Sequence, residues 1–231
     1  MIINTQHSIF ITKNTMKKLI IVIAITLITA ATANAQLYKG FGIKAGTTIA
    51  SQTFTINGKR FDDSTYKYGF TAGIFKEFHV IQNLKAQIGI NYARKGSLLE
   101  VIETDESGNI IGKGNIHENF DFITAELYAK YNFLKSKINP YILAGLRIDF
   151  YLSQHSFYRS SNGNETENEV GIPVTNNKIF GASLGAGLEY QASKLFSLFL
   201  EGTYNPDFTD IYNGGSIIRG RSFDIRTGIK F

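Results

Sequence analysis

Eight segments of this 231-residue chain alternate apolar and polar residues with a period of two, and after Gln36 no apolar run approaches the length of a membrane-spanning helix. The first segment runs from Leu37 to Ser51, with Phe41, Ile43, Ala45, Thr47 and Ile49 on one face and Gly40, Gly42, Lys44, Gly46 and Thr48 on the other. Tyr66 to Lys76, Leu84 to Gly96 and Asn119 to Phe133 follow the same rule. So do Tyr141 to Ser153, Lys178 to Tyr190, Leu195 to Asn205 and Arg221 to Phe231. A chain patterned this way folds as sheet, because successive strand side chains point to opposite faces. Frequent glycine, at 22 residues, and only three prolines agree with twisted strands.

The connections between these segments run about 14, 7, 22, 7, 24, 4 and 15 residues. Alternating long and short connections belong to a barrel with long loops at one end and tight turns at the other. The long ones, around Gln52 to Thr65, Ser97 to Glu118, Gln154 to Asn177 and Pro206 to Gly220, are rich in Gly, Asn, Ser and Asp. Alternation alone does not say which face points outward. One face is crowded with charge and glycine, whereas the other carries almost no charge over four or five central positions. A lipid-exposed band must be like the second, since a midplane Arg or Lys costs roughly 2–4 kcal/mol. Only a closed barrel pairs every strand without water. The expected fold is therefore all-β: an eight-stranded antiparallel up-and-down transmembrane barrel, with both termini periplasmic and the membrane lipid as its surroundings. Tyr131, Phe133, Tyr190 and Phe231 are the aromatics expected at the periplasmic interface.

Export is expected from the start of the chain. From Met16 the sequence reads MKKLIIVIAITLITAATANAQ, with Lys17 and Lys18 before an apolar run and Ala33-Asn34-Ala35 before Gln36. This predicts a signal peptide over residues 16–35, cleaved before Gln36, an upstream extension over 1–15 and a single mature domain over 36–231. The formal charge of +5 includes Lys13, Lys17 and Lys18, so the mature chain keeps 21 basic against 19 acidic residues. No nucleic-acid footprint is expected at that balance. With no cysteine, thiolate metal sites and disulfides are excluded.

Several of these segments carry a family likeness. GFGIKAGTTIAS, INYARKG, FITAELYAKYNF, NPYILAGLRIDF, GASLGAGLEY and the terminal RTGIKF resemble the PorT-type outer-membrane β-barrel proteins of Bacteroidota. The resemblance implies insertion by the barrel-assembly machinery, with Phe231 as the assembly signal. It brings in type IX secretion as an alternative role, and hence a surface or secretion-system protein as partner.

The inward face collects Lys44, Glu126, Lys130, Arg147, Asp149, Glu189, Glu201, Asp224, Arg226 and Lys230. Eight strands enclose an interior that side chains fill, so these charges are expected to pair as a structural polar plug. Ser153 with His155 or Ser156 is the best nucleophile–base candidate, which would suit a lipid A-modifying enzyme, yet no third orienting group accompanies it. Asp62-Asp63, Asp105-Glu106 and the Glu165 to Glu169 stretch are acidic loop residues that solvate loops more readily than they hold cations. His79 and His117 show no ligand spacing. The expectation is a non-enzymatic barrel without cofactor or metal, whose longest loop, Gln154 to Asn177, offers the partner-binding surface.

Overall fold

The computed structural model describes residues 40–231 apart from 57–58, 62–64, 135, 161, 168–173 and 213–215. The expected signal peptide, with Ala33, Ala35 and Gln36, lies outside these residues. The described strands are β1 (Phe41–Ile56), β2 (Lys59–Phe61), β3 (Lys67–His79), β4 (Leu84–Thr104), β5 (Ile110–Asn132), β6 (Ile138–Arg159), β7 (Glu165–Glu167), β8 (Lys178–Gln191), β9 (Ser197–Pro206) and β10 (Ser216–Lys230). Eight of them form an antiparallel ring in chain order, closed by β10 on β1. The three-residue strands β2 and β7 pair with β1 and β6 at their long-connection ends.

The registers fix the barrel's stagger. Phe41 pairs with Lys76, Lys76 with Ile88, Ile88 with Leu127, Leu127 with Leu146, and Leu146 with Ala182. Ala182 faces Pro206, since Gly181 pairs with Asp207 and Leu184 with Tyr204. Pro206 pairs with Arg221, which returns to β1 at Ser51, ten residues from the start. Such a stagger tilts eight strands by about 40°.

Burial is inverted relative to a water-soluble barrel. Leu146 and Leu184 on the outer wall are 62% and 64% exposed, whereas the lumenal Arg226 and Glu126 are 1% and 5% exposed. Ile74, Ile88, Ile90, Leu127 and Leu200 continue the bare apolar wall. Tyr131, Phe133, Tyr190 and Phe231 are exposed at the short-turn end. A continuous apolar exterior of this kind needs lipid around it.

The strands outrun the sequence-based segments at the long-loop end. Expected as a loop, Ser97 to Glu118 instead forms a hairpin in which β4 and β5 stay paired from Ser97↔Glu118 to Thr104↔Ile110. The turn is tied by Asp105, whose Oδ1 accepts from the N–H groups of Ser107 and Asn109 at 2.9 and 2.8 Å, with Gly108 at φ +82°. Beyond the apolar band both faces meet water, so polar residues such as Glu100 and Asn115 replace the apolar repeat without breaking the ladder. The tight connections at the other end are 80–83, 133–137 and 192–196.

The glycines of the lumenal face seat aromatic rings. A Cβ on Gly187 would lie 2.5 Å from the Tyr141 ring, and one on Gly145 would lie 2.7 Å from the Tyr128 ring. Both tyrosines are 1% exposed. Gly187→Val is therefore expected to destabilise the barrel by about 1–3 kcal/mol through overpacking. Urea titration of the refolded barrel measures this, and an unchanged midpoint would mean that Tyr141 does not lie across the wall at Gly187.

Candidate functional site

Three ionic layers lie in the lumen, each drawing its members from several strands. Nearest the short turns, Lys130 Nζ lies 2.6 Å from Glu77 Oε1 and 3.0 Å from Glu189 Oε2. Lys230 bridges the same two carboxylates from β10, at 3.0 Å to Glu77, and Lys85 adds a third contact to Glu77 at 3.3 Å. Two cations and two anions thus alternate around a closed loop. The Tyr141 ring lies 3.8 Å from Lys130 Nζ, so its negative face joins the same layer.

The middle layer is centred on Glu126. Its Oε2 accepts from Lys44 Nζ at 2.6 Å and its Oε1 from Arg226 Nη1 at 2.7 Å. Glu201 closes the group, 3.0 Å from Arg226 Nε and accepting from the Tyr141 hydroxyl at 3.0 Å. Lys44 Nζ also sits 5.7 Å from the Phe75 and Tyr128 ring centroids. In the outer layer, Asp149 accepts from Lys95 and from Thr124, each at 2.6 Å, and pairs with Arg147. Arg147 reaches on to Asp207 of the β9–β10 connection and to the Asn205 carbonyl.

A buried apolar cluster lies beside the outer ionic layer. Phe120, Phe122, Ile179 and Ile211 form a buried cluster with Tyr151 and Val174 packed on it. The cavity between Phe120, Phe122, Ile211 and the outer ionic layer measures about 20 Å³, room for about one water. Thr48 Oγ1, both amide atoms of Asn91 and Asp224 Oδ1 are buried with no hydrogen-bond partner among the described residues.

All ten charged residues read as inward are buried. Nine of them join the layers, and Asp224 stands beside them on β10 without an ion pair among the described residues. Glu77, Lys85, Lys95 and Asp207 are members absent from the ten charges that alternation singles out. Glu77 continues the parity of Lys67, Gly69, Thr71 and Gly73, one residue beyond the Lys76 that ends the second segment. Lys85 and Lys95 carry the right parity in the third segment. Asp207 sits beyond a strand end, where alternation gives no information.

The nucleophile candidate does not assemble. Ser153 Oγ donates to Asp121 Oδ2 at 3.1 Å, and Ser156 Oγ donates to Glu118 Oε1 at 2.9 Å. No hydrogen bond joins either serine to His155. Asp121 serves Arg94 instead, accepting from its Nε and Nη2 at 2.7 and 2.9 Å and from the Tyr92 hydroxyl at 2.6 Å. Among the described residues no three His, Asp or Glu side chains gather as metal ligands. Asp105 anchors its own turn, and the Asn109 side chain and backbone hold its carboxyl below the usual range. His117 stacks on Phe157 at 4.5 Å, and burial lowers its pKa. Glu165 pairs with Arg159, while Asp62, Asp63 and Glu169 lie outside the described residues.

A family model described as an outer membrane protein β-barrel domain matches residues 33–213. Among solved structures, Neisserial surface protein A is 16% identical, with 84% of this chain and 98% of that one covered at a TM-score of 0.41. Ail, the attachment invasion locus protein of Yersinia pestis, is 14% identical over 84% and 99% of the two chains, with a TM-score of 0.40. OprG from Pseudomonas aeruginosa is 13% identical over 84% and 97%, with a TM-score of 0.43. No curated protein matches the sequence.

Proposed function

This chain belongs to the outer membrane β-barrel domain family, and on that premise we propose that it is a non-enzymatic surface protein whose closed barrel anchors a projecting hairpin. The filled lumen is the observation that carries this reading. Three ionic layers and the Phe120–Phe122–Ile179–Ile211 cluster occupy the space a channel would need. Ser153 and Ser156 donate to Asp121 and Glu118 rather than to His155, so the nucleophile–base pair of an acyl-transfer site lacks support.

The interaction surface of this reading is the tip of β4 and β5, with Ile102, Ile110 and Ile111 each more than 60% exposed. It displaces the Gln154 to Asn177 loop as first candidate, because β6 runs on to Arg159 within the sheet and leaves less free chain there. Both termini are periplasmic in this arrangement, and Phe231 ends the strand offered to the assembly machinery.

Two measurements test it. An epitope inserted after Ser107 is expected to stain on intact cells, and one inserted after Gln82 only after permeabilisation. The reverse pattern would invert the orientation. In planar bilayers the purified barrel is expected to show no steady porin-sized conductance, and a stable open level would overturn the plug. The PorT-type resemblance of FITAELYAKYNF and its companion segments supports a second reading, an accessory of type IX secretion. Unimpaired secretion of type IX cargo after gene deletion would remove it.

A further inference from the structure

The outer wall carries a polar recess at β10, β1 and β9. Register sets Arg221 opposite both Ser51 and Pro206, and Arg219 opposite Thr53. Two residues apart, the two arginines leave the strand on the same outward face as Phe223 and Ile225. With Thr53, Thr55, Tyr204 and Ile217 they line a recess of about 290 Å³. Asp207 borders it too, but its Oδ1 is directed to Arg147.

Height gives the recess its meaning. Arg221 is ten residues from Phe231, and at about 3.3 Å per residue with a 40° tilt this is about 25 Å along the barrel axis. An outer-membrane barrel's apolar band is also about 25 Å tall. The recess therefore opens where hydrocarbon gives way to headgroups. Below it stand Tyr204, Phe223 and Ile225, each 44–47% exposed. Donors crowd the upper part. Arg219 is half exposed and pairs through Nε with Asp210 at 2.8 Å, and Arg221 Nε donates to Ser51 Oγ at 2.9 Å. Arg94, on β4, also faces outward but lines no part of the recess, and its Nε and Nη2 donate to Asp121.

We infer that this recess binds the phosphorylated headgroup of an outer-leaflet lipid, with the Arg219 and Arg221 guanidinium groups on phosphate oxygens and the threonine hydroxyls donating beside them. Planar guanidinium matches phosphate geometry, and acyl chains hanging from the same headgroup would lie along Tyr204, Phe223 and Ile225. The inference rests on the orientation proposed above, with the long loops outside.

The test uses the full mature barrel refolded in phosphatidylcholine vesicles. Bisphosphorylated lipid A, enzymatically dephosphorylated lipid A and inorganic phosphate are each added, and lipid retention and the temperature of the gel-mobility transition are read. Bisphosphorylated lipid A is expected to be retained and to raise the transition temperature, and the dephosphorylated form to do neither. Arg219→Ala/Arg221→Ala is expected to weaken retention at least tenfold, whereas Arg94→Ala leaves it unchanged. Should the double variant not refold, Thr53→Val/Thr55→Val is expected to weaken retention several-fold. Equal retention by wild type and by the variant that folds would overturn the site. An equal effect of inorganic phosphate would assign a soluble anion and overturn the lipid. Lipid A retention that depends on Arg219 and Arg221, together with surface staining at Gln82 rather than Ser107, would sink the orientation and leave the recess standing.

Discussion

Glu126→Ala is expected to cost about 3–5 kcal/mol, because it leaves Lys44 and Arg226 buried in the lumen with one carboxylate between them. Glu126 is bonded to both cations, at 2.6 and 2.7 Å. Its loss leaves Glu201, 3.9 Å from Lys44 Nζ and 3.0 Å from Arg226 Nε. Urea unfolding of the barrel in vesicles reads the effect as a lowered midpoint. The quadruple variant Lys44→Met/Glu126→Leu/Glu201→Gln/Arg226→Met separates the two causes of such a loss. Replacing the whole group by uncharged side chains leaves no uncompensated charge and keeps an acceptor for the Tyr141 hydroxyl, so most of the stability is expected to return. A cost below about 1 kcal/mol for the single change, typical of solvated pairs, would show that water reaches this layer and that the lumen is not filled.

The outer wall makes the second large prediction. Leu146 is 62% exposed and flanked by Leu127 and Ala182, five residues above Tyr141. That puts it about 12 Å into the apolar band, near the midplane. In a bilayer, Leu146→Arg is expected to cost about 2–4 kcal/mol. On a surface in contact with water the same change would stay within about 0.5 kcal/mol. Thr53→Arg, near the headgroup level, is the internal control and is expected to cost about 0–1 kcal/mol. Equal costs at the two positions would refute the lipid-facing assignment of the wall.

What the sequence determined by itself was the architecture. Lipid on one side and a packed polar lumen on the other force every second residue to differ, so parity along each segment already separated Leu127 and Leu146 from Glu126 and Arg147. The order of long and short connections supplied the strand pairing, because antiparallel neighbours in chain order need nothing more. That signal stops where the bilayer stops. With water on both faces, Ser97 to Glu118 has no apolar repeat, and a hairpin read as a loop.

Only the tertiary structure decided which charges meet. Glu126 and Arg226 are 100 residues apart, and Glu77 and Lys230 are 153 apart. Their pairing depends on the ten-residue stagger with which β10 closes on β1, a property of the ring that no single segment contains. The same closure brings Asp207 to Arg147 from beyond a strand end, and sets Arg219 and Arg221 beside the threonines of β1. It also turns Ser153 to Asp121 and away from His155. Parity tells which face a residue takes, but height and neighbours around a barrel follow from register, and register is a relation between strands.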